Sequence, residues 1–151
     1  MRPVLAMPIG PDQILEIADA LWQGMFPEHE APQPDPVGSA TEVAAEVEIQ
    51  GAWNGAVRFS CSRGASRLLA AAMFAASADE VSQGDVDDAI GELANIFGGA
   101  IKAIVPEPAT LSLPRAVALD GPHGGSSEAT ELHLCWCGEP VAIAVRSLAA
   151  S

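Results

Sequence analysis

Glu92 and Asn95 stand three residues apart in the stretch Ser82 to Val105, SQGDVDDAIGELANIFGGAIKAIV. At about 100° per residue, Val86, Ile90, Leu93, Phe97, Ile101 and Ile104 fall on one stripe, while Asp88, Glu92 and Asn95 fall opposite, with Gly99 one turn further. A helix of about 20 residues, roughly 30 Å long, follows. An ordinary surface helix sets Lys and Glu on its outer face, where they pair. This one sets a short polar trio among Gly91, Ala94, Gly98 and Gly99, which leaves those side chains unshielded. A carboxamide can orient an attacking water by hydrogen bonding in phosphoryl hydrolysis without taking a proton itself. A carboxylate one turn away can hold a cation of a partner and fix its register. From the residues alone, Glu-x-x-Asn on a helix is a weak signal, and a solvated face is the commoner reading.

Other chemistry is weaker. His133, Cys135 and Cys137 alternate on one predicted strand face with Cys61 elsewhere, but zinc sites commonly join two pairs of ligands at short spacing. Ser126, Ser127 and His123 share a loop without the G-x-S-x-G elbow of a nucleophilic serine. The glycines at 84–99 lack the GxxxxGK[ST] order that cradles phosphate. The acidic run Asp79, Glu80, Asp85, Asp87 and Asp88 lacks the order of a calcium loop. Carboxylates at the start of a helix serve its dipole and its cap.

The elements that must position Glu92 and Asn95 can be read along the chain. Pro11 to Phe26 forms a first amphipathic helix, with Pro11 suited to its opening turn. Residues 27–41, with four prolines, read as an extended surface loop. From Glu42 the period becomes two: Val43, Ala45, Val47 and Ile49 against Glu46 and Glu48. Asn54-Gly55 signals a hairpin, whose return strand sets Arg58 across from a glutamate. Ser66 to Ala76 is an alanine-rich helix, apolar nearly all round, which suggests burial on more than one side and a possible subunit contact. Pro106 and Pro108 close the long helix. Leu111 to Leu119 suggests a strand interrupted at Pro114, residues 121–130 a turn region, and Leu132 to Val145 two further strands. The order predicts an α+β fold, a mostly antiparallel sheet with two long helices packed on it. Residues 1–151 are read as one domain, with residues 1–41 an N-terminal helix and loop and residues 42–148 the core.

Composition excludes some partners. Seven Lys and Arg against 20 Asp and Glu give a formal net charge of -13, unsuited to nucleic acid or to anionic membrane surfaces. The start, MRPVLAMPIGP, is too short and too broken by proline for a secretory signal or a membrane span. Three cysteines give no disulfide framework. A cytoplasmic location is the expectation.

The run Asp88-Ala-Ile-Gly-Glu92-Leu-Ala-Asn95-Ile-Phe-Gly-Gly99-Ala-Ile-Lys102, followed by Leu111-Ser-Leu-Pro114, resembles the chemotaxis phosphatases CheX, CheC and FliY. That resemblance implies dephosphorylation of the aspartyl phosphate on a CheY-type receiver domain. It assigns Asn95 to position the hydrolytic water and Glu92 to pair with the receiver's lysine, with Asp88, Gly91 and Gly99 at the docking edge. It implies a homodimer, as in CheX. It also implies no metal or cofactor of the chain's own, because Mg²⁺ comes with the receiver. The first helix echoes the motif as Asp12-Gln-Ile-Leu-Glu16-Ile-Ala-Asp19, but Asp19 stands at the carboxamide position, and its charge would repel a phosphoryl group. One working site per chain is expected. The rival readings are a receiver-binding module without hydrolysis and a scaffolding protein of the same fold.

Overall fold

The structure is a computed structural model that describes residues 9–38, 40–119 and 129–148. His123, Ser126 and Ser127, and most of the turn region at 121–130, lie outside the described residues. In chain order the elements are α1 (Pro11–Met25), β1 (Gln33–Pro34), β2 (Val43–Gly51), β3 (Gly55–Cys61), α2 (Arg63–Phe74), α3 (Gln83–Lys102), β4 (Ala109–Leu111), β5 (Arg115–Ala116), β6 (Ala129–Trp136) and β7 (Glu139–Ser147). The strands form one sheet in the order β1-β6-β7-β3-β2-β4, with β5 also on β2, and every pairing is antiparallel. This is the expected α+β class. The interrupted strand is β4 and β5, which meet β2 on either side of Pro114.

Alternation along the strands assigns the two faces. Val47, Val57, Phe59, Ile143, Val145 and Leu134 are buried on the helix side. There α3 lies across β2 and β3, α1 reaches β6, and α2 runs along α3. Trp22 of α1 links the layers, with ring centroids 5.3 Å from Phe26, 5.4 Å from Trp136 and 6.5 Å from Phe59. Phe59 in turn stacks on Phe97 of α3 at 5.8 Å. Large aromatic rings at these separations bury much apolar area and hold α1 and α3 to the same part of the sheet.

Several local readings are corrected. Among the described residues the three helices read from the sequence are present, but the second begins at Arg63 and not at Ser66, because the Ser62 side chain caps it by accepting from the Ala65 N–H at 3.0 Å. It is buried on one side only: Leu68 and Phe74 are 37% and 47% exposed. The long helix ends at Lys102, before the prolines, so Ile104 leaves the buried stripe and Val105 is buried in its place. The hairpin at Asn54 turns without positive φ at Asn54 or Gly55. Instead the Asn54 side chain accepts from the Gly51 N–H at 3.0 Å. Gly55 is required because a Cβ there would stand 2.0 Å from the Trp53 ring. The second tight hairpin is Cys137-Gly138, both at positive φ (53° and 77°), between β6 and β7. Two successive positive φ values are the backbone of the turn that matches strand twist.

Candidate functional site

The helix that carries the site is firmly started. Ser82 Oγ accepts from the Asp85 N–H, and the Asp85 carboxylate accepts from the Ser82 N–H, both at 3.0 Å. This reciprocal cap satisfies two backbone donors that a helix start otherwise leaves unpaired. Gln83 Nε2 donates to Asp87 at 2.9 Å one turn on. Val86, Ala89, Ile90, Leu93, Ala94, Phe97, Gly98 and Ile101 are buried beneath. The acidic run is thereby partly explained without a cation, since Glu80 also accepts from the Ser77 N–H at 3.0 Å. That hydrogen bond holds its carboxyl below the ordinary value.

Asp88, Glu92, Asn95 and Gly99 fall within about 60° of one another around the helix axis. Asp88 and Glu92 are exposed, and Asn95 is half-buried. Among the described residues, neither the Glu92 carboxylate nor the Asn95 amide makes a hydrogen bond or an ion pair. A Cβ on Gly99 would meet no atom within 4 Å, so the surface beyond Asn95 is open. Gly91 is different. It faces Pro114 across a groove of about 490 Å³ between α3 and the β2–β5 edge, lined by Asp88, Gly91, Glu92, Pro114 and Arg115 among others. A Cβ on Gly91 would sit 3.7 Å from Pro114 Cγ, an ordinary contact. Asn95 is not part of the groove lining and lies one turn beyond it.

The fold thus brings Asp88, Gly91 and Glu92 together with Pro114, which is distant in sequence, and sets Asn95 and Gly99 along the same line. Sequence reasoning missed Arg115 in the groove and read Asp87 only as part of an acidic run. It also set Ala94 and Gly98 around the exposed trio, whereas both are buried, and Gly98 lies against β2, where it fixes the height of the helix. The doubled glycine at 98–99 was a signal for the latter. Electrostatically the edge carries Asp87, Asp88 and Glu92. Arg115 opposite is already held by Glu46 and Glu48 at 3.4 and 3.3 Å. An excess of carboxylate favours a cationic group of a partner. The free amide can donate to a phosphoryl oxygen and accept from a water.

The other sequence candidates are dispersed. Cys61 is buried on the helix side of the sheet, whereas His133 and Cys135 lie on the opposite side, and Cys137 is an exposed turn residue. His133 Nε2 is 2.6 Å from a Glu131 oxygen. Among the described residues no group of three His, Cys, Asp or Glu is placed to hold a metal ion. Asp19 is half-buried on α1. No helix of the described residues is long and apolar enough to cross a membrane.

The model of the family described as chemotaxis phosphatase CheX matches residues 43–130. No curated protein matches the sequence. The fold is similar to that of the chemotaxis protein CheX from Vibrio vulnificus, with TM-score 0.75 and 16% identity over 97% of this chain and 99% of that one. It is similar to the CheX–CheY–BeF3–Mg²⁺ complex from Borrelia burgdorferi, with TM-score 0.66 and 13% identity over 95% and 100%. FliY from Thermotoga maritima follows at TM-score 0.57 and 14% identity, over 95% and 92%. The chain belongs to the CheX family of chemotaxis phosphatases.

Proposed function

We propose that this protein hydrolyses the aspartyl phosphate of a CheY-type response-regulator receiver domain, acting through the outer line of α3. The observation that carries the reading is the state of the Asn95 amide, which is accessible, unshielded and uncommitted to any described residue of its own chain. Membership of a phosphatase family supports the reaction class. The Borrelia burgdorferi relative, recorded with CheY, BeF3 and Mg²⁺, supports the partner class.

In this reading the Glu92 carboxylate accepts from a lysine ammonium of the receiver and sets the register, a charge-assisted contact. Asp88 extends the acidic docking edge, and Gly91 and Gly99 keep it low enough for close approach. The Asn95 amide then holds a water in line with the phosphorus. The water oxygen forms the new bond, the bond from phosphorus to the aspartyl oxygen breaks, and the carboxylate and inorganic phosphate leave. Mg²⁺ carried by the receiver would supply neutralisation of the phosphoryl charge. The chain's own contribution is position, which accounts for much of catalysis in this reaction class.

The test is the decay of phosphate on radiolabelled candidate receivers from the same cell, with and without this protein. Faster decay is expected. An unchanged lifetime together with measurable binding would select a receiver-binding module instead.

A further inference from the structure

The face of the sheet turned away from the helices carries a second feature. On a sheet packed on one side, the open face is commonly a solvated polar one. Here Ala142 and Ala144 of β7 and Ser60 of β3 form a low floor, and Leu119 and Thr41 stand at its margin. The result is a groove of about 360 Å³, at the lower end of the range that takes small ligands, roughly 300–1,000 Å³. It lies across the sheet from α3, and the Glu46 cluster beside it links it through Arg115 to the acidic edge.

Three of the seven Lys and Arg residues of this acidic chain converge beside that floor, on the same face of the sheet, on one carboxylate. Glu46 is 1% exposed. Its oxygens lie 3.4 Å from Arg58 Nε, 3.1 Å from Arg146 Nη2 and 3.4 Å from Arg115 Nη2. Glu48 also holds Arg115, which leaves Arg58 and Arg146, both lining the groove, with Glu46 alone. Their side chains are only 13% and 19% exposed. A guanidinium offers five N–H donors, yet among the described residues each of these two is engaged through a single nitrogen. Ser60, 5% exposed, lines the same groove, and its hydroxyl makes no hydrogen bond among the described residues. Glu131 is the carboxylate facing the groove, and it is held at the rim by His133. Glu46 is shared among three guanidinium groups and so only partly neutralises Arg58 and Arg146, and the Glu131 carboxylate stands out at the more exposed rim. Two sequestered cations with donors to spare over an apolar floor form a site for an oxyanion on a small apolar body.

We propose that this groove binds a small organic anion, its carboxylate or phosphoryl oxygens held by Arg58, Arg146 and Ser60, and its apolar part lying on Ala142, Ala144 and Leu119. The ¹⁵N-labelled full chain, titrated with phenyl phosphate, benzoate and neutral benzyl alcohol, tests this through the backbone amides of residues 58–60 and 142–146. Saturable shifts are expected with at least one of the two anions and not with the alcohol. The tighter of the two anions identifies phosphoryl or carboxylate as the preferred group. Ala144→Leu, which fills the groove and leaves both arginines in place, should abolish the shifts. Ser60→Ala should weaken binding by roughly three- to tenfold. No saturable shift with either anion, an equal response to benzyl alcohol, or binding untouched by Ala144→Leu would each overturn the proposal. None of these readouts uses phosphatase activity.

Discussion

Gly98 of α3 lies so close to β2 that a Cβ on it would stand 2.3 Å from Val47 Cγ2. The helix is seated on the sheet at the distance only a bare backbone permits, and that fixes the height and rotation of the line carrying Glu92 and Asn95. Its neighbour Gly99 faces open space. The two glycines should therefore respond oppositely to alanine. Gly98→Ala overpacks the layer and should cost about 1–3 kcal/mol, while Gly99→Ala should gain up to about 1 kcal/mol from helix propensity. Urea unfolding of the two variants decides the matter; equal shifts in midpoint would contradict the packing described.

The roles proposed for Glu92 and Asn95 separate kinetically. Asn95→Ala should lower kcat on a phosphorylated receiver by about 10²–10³-fold, the loss seen when one preorganised donor is removed. Its stability should move by no more than about 0.5 kcal/mol, because the amide holds nothing inside the chain. Glu92→Gln should act mainly on KM, raising it by about tenfold or more through the lost charge-assisted contact. Stopped-flow measurement of receiver dephosphorylation over a range of receiver concentration separates the two. A variant at Asn95 with normal kcat would end the water-orienting role.

Much of this was legible because it is periodic. The stripe of Val86, Ile90, Leu93 and Phe97 faces the sheet, and the opposite line of Asp88, Glu92 and Asn95 follows from the same 3.6-residue repeat. The pairing of Arg58 with Glu46 follows from hairpin register. Other features depend on contacts between distant segments. Arg115 and Arg146 reach Glu46 from 69 and 100 residues away, so a glutamate that reads as a solvated strand residue becomes buried. Pro114 meets Gly91 only because β5 returns along β2. The helix end at Lys102 was misread because proline marks where a helix must stop, and α3 stops earlier.

Glu46 should be the least replaceable charge in the chain. Glu46→Ala leaves Arg58 and Arg146 sequestered without an acceptor, and breaking a buried pair in this way costs about 3–5 kcal/mol. Arg115 is 61% exposed, so its removal should cost under about 1 kcal/mol, as for a surface ion pair. Urea midpoints of Glu46→Ala and Arg115→Ala give the comparison. A larger loss at Arg115 would show that the cluster is organised from the solvent side.

The buried thiol of Cys61 predicts a loss of stability in alkaline solution. Burial first, then the carboxylates of Glu139 and Glu42, push its pKa from 9.0 up to about 12. Below pH 9 both the folded and the unfolded chain hold the proton, and the group contributes nothing to pH dependence. Between about pH 9 and pH 12 the unfolded chain releases it while the native state keeps it, so stability falls as pH rises, by at most about 1.4 kcal/mol per unit. Cys61→Ala should flatten that part of the profile, measured as the urea midpoint at stepped pH. The same burial predicts labelling order: maleimide should modify exposed Cys137 in the native protein, although burial and Cys135 raise its pKa as well. Cys61 should react only as the chain unfolds, and its modification at the rate of Cys137 would mean that the sheet opens far more readily than its packing implies.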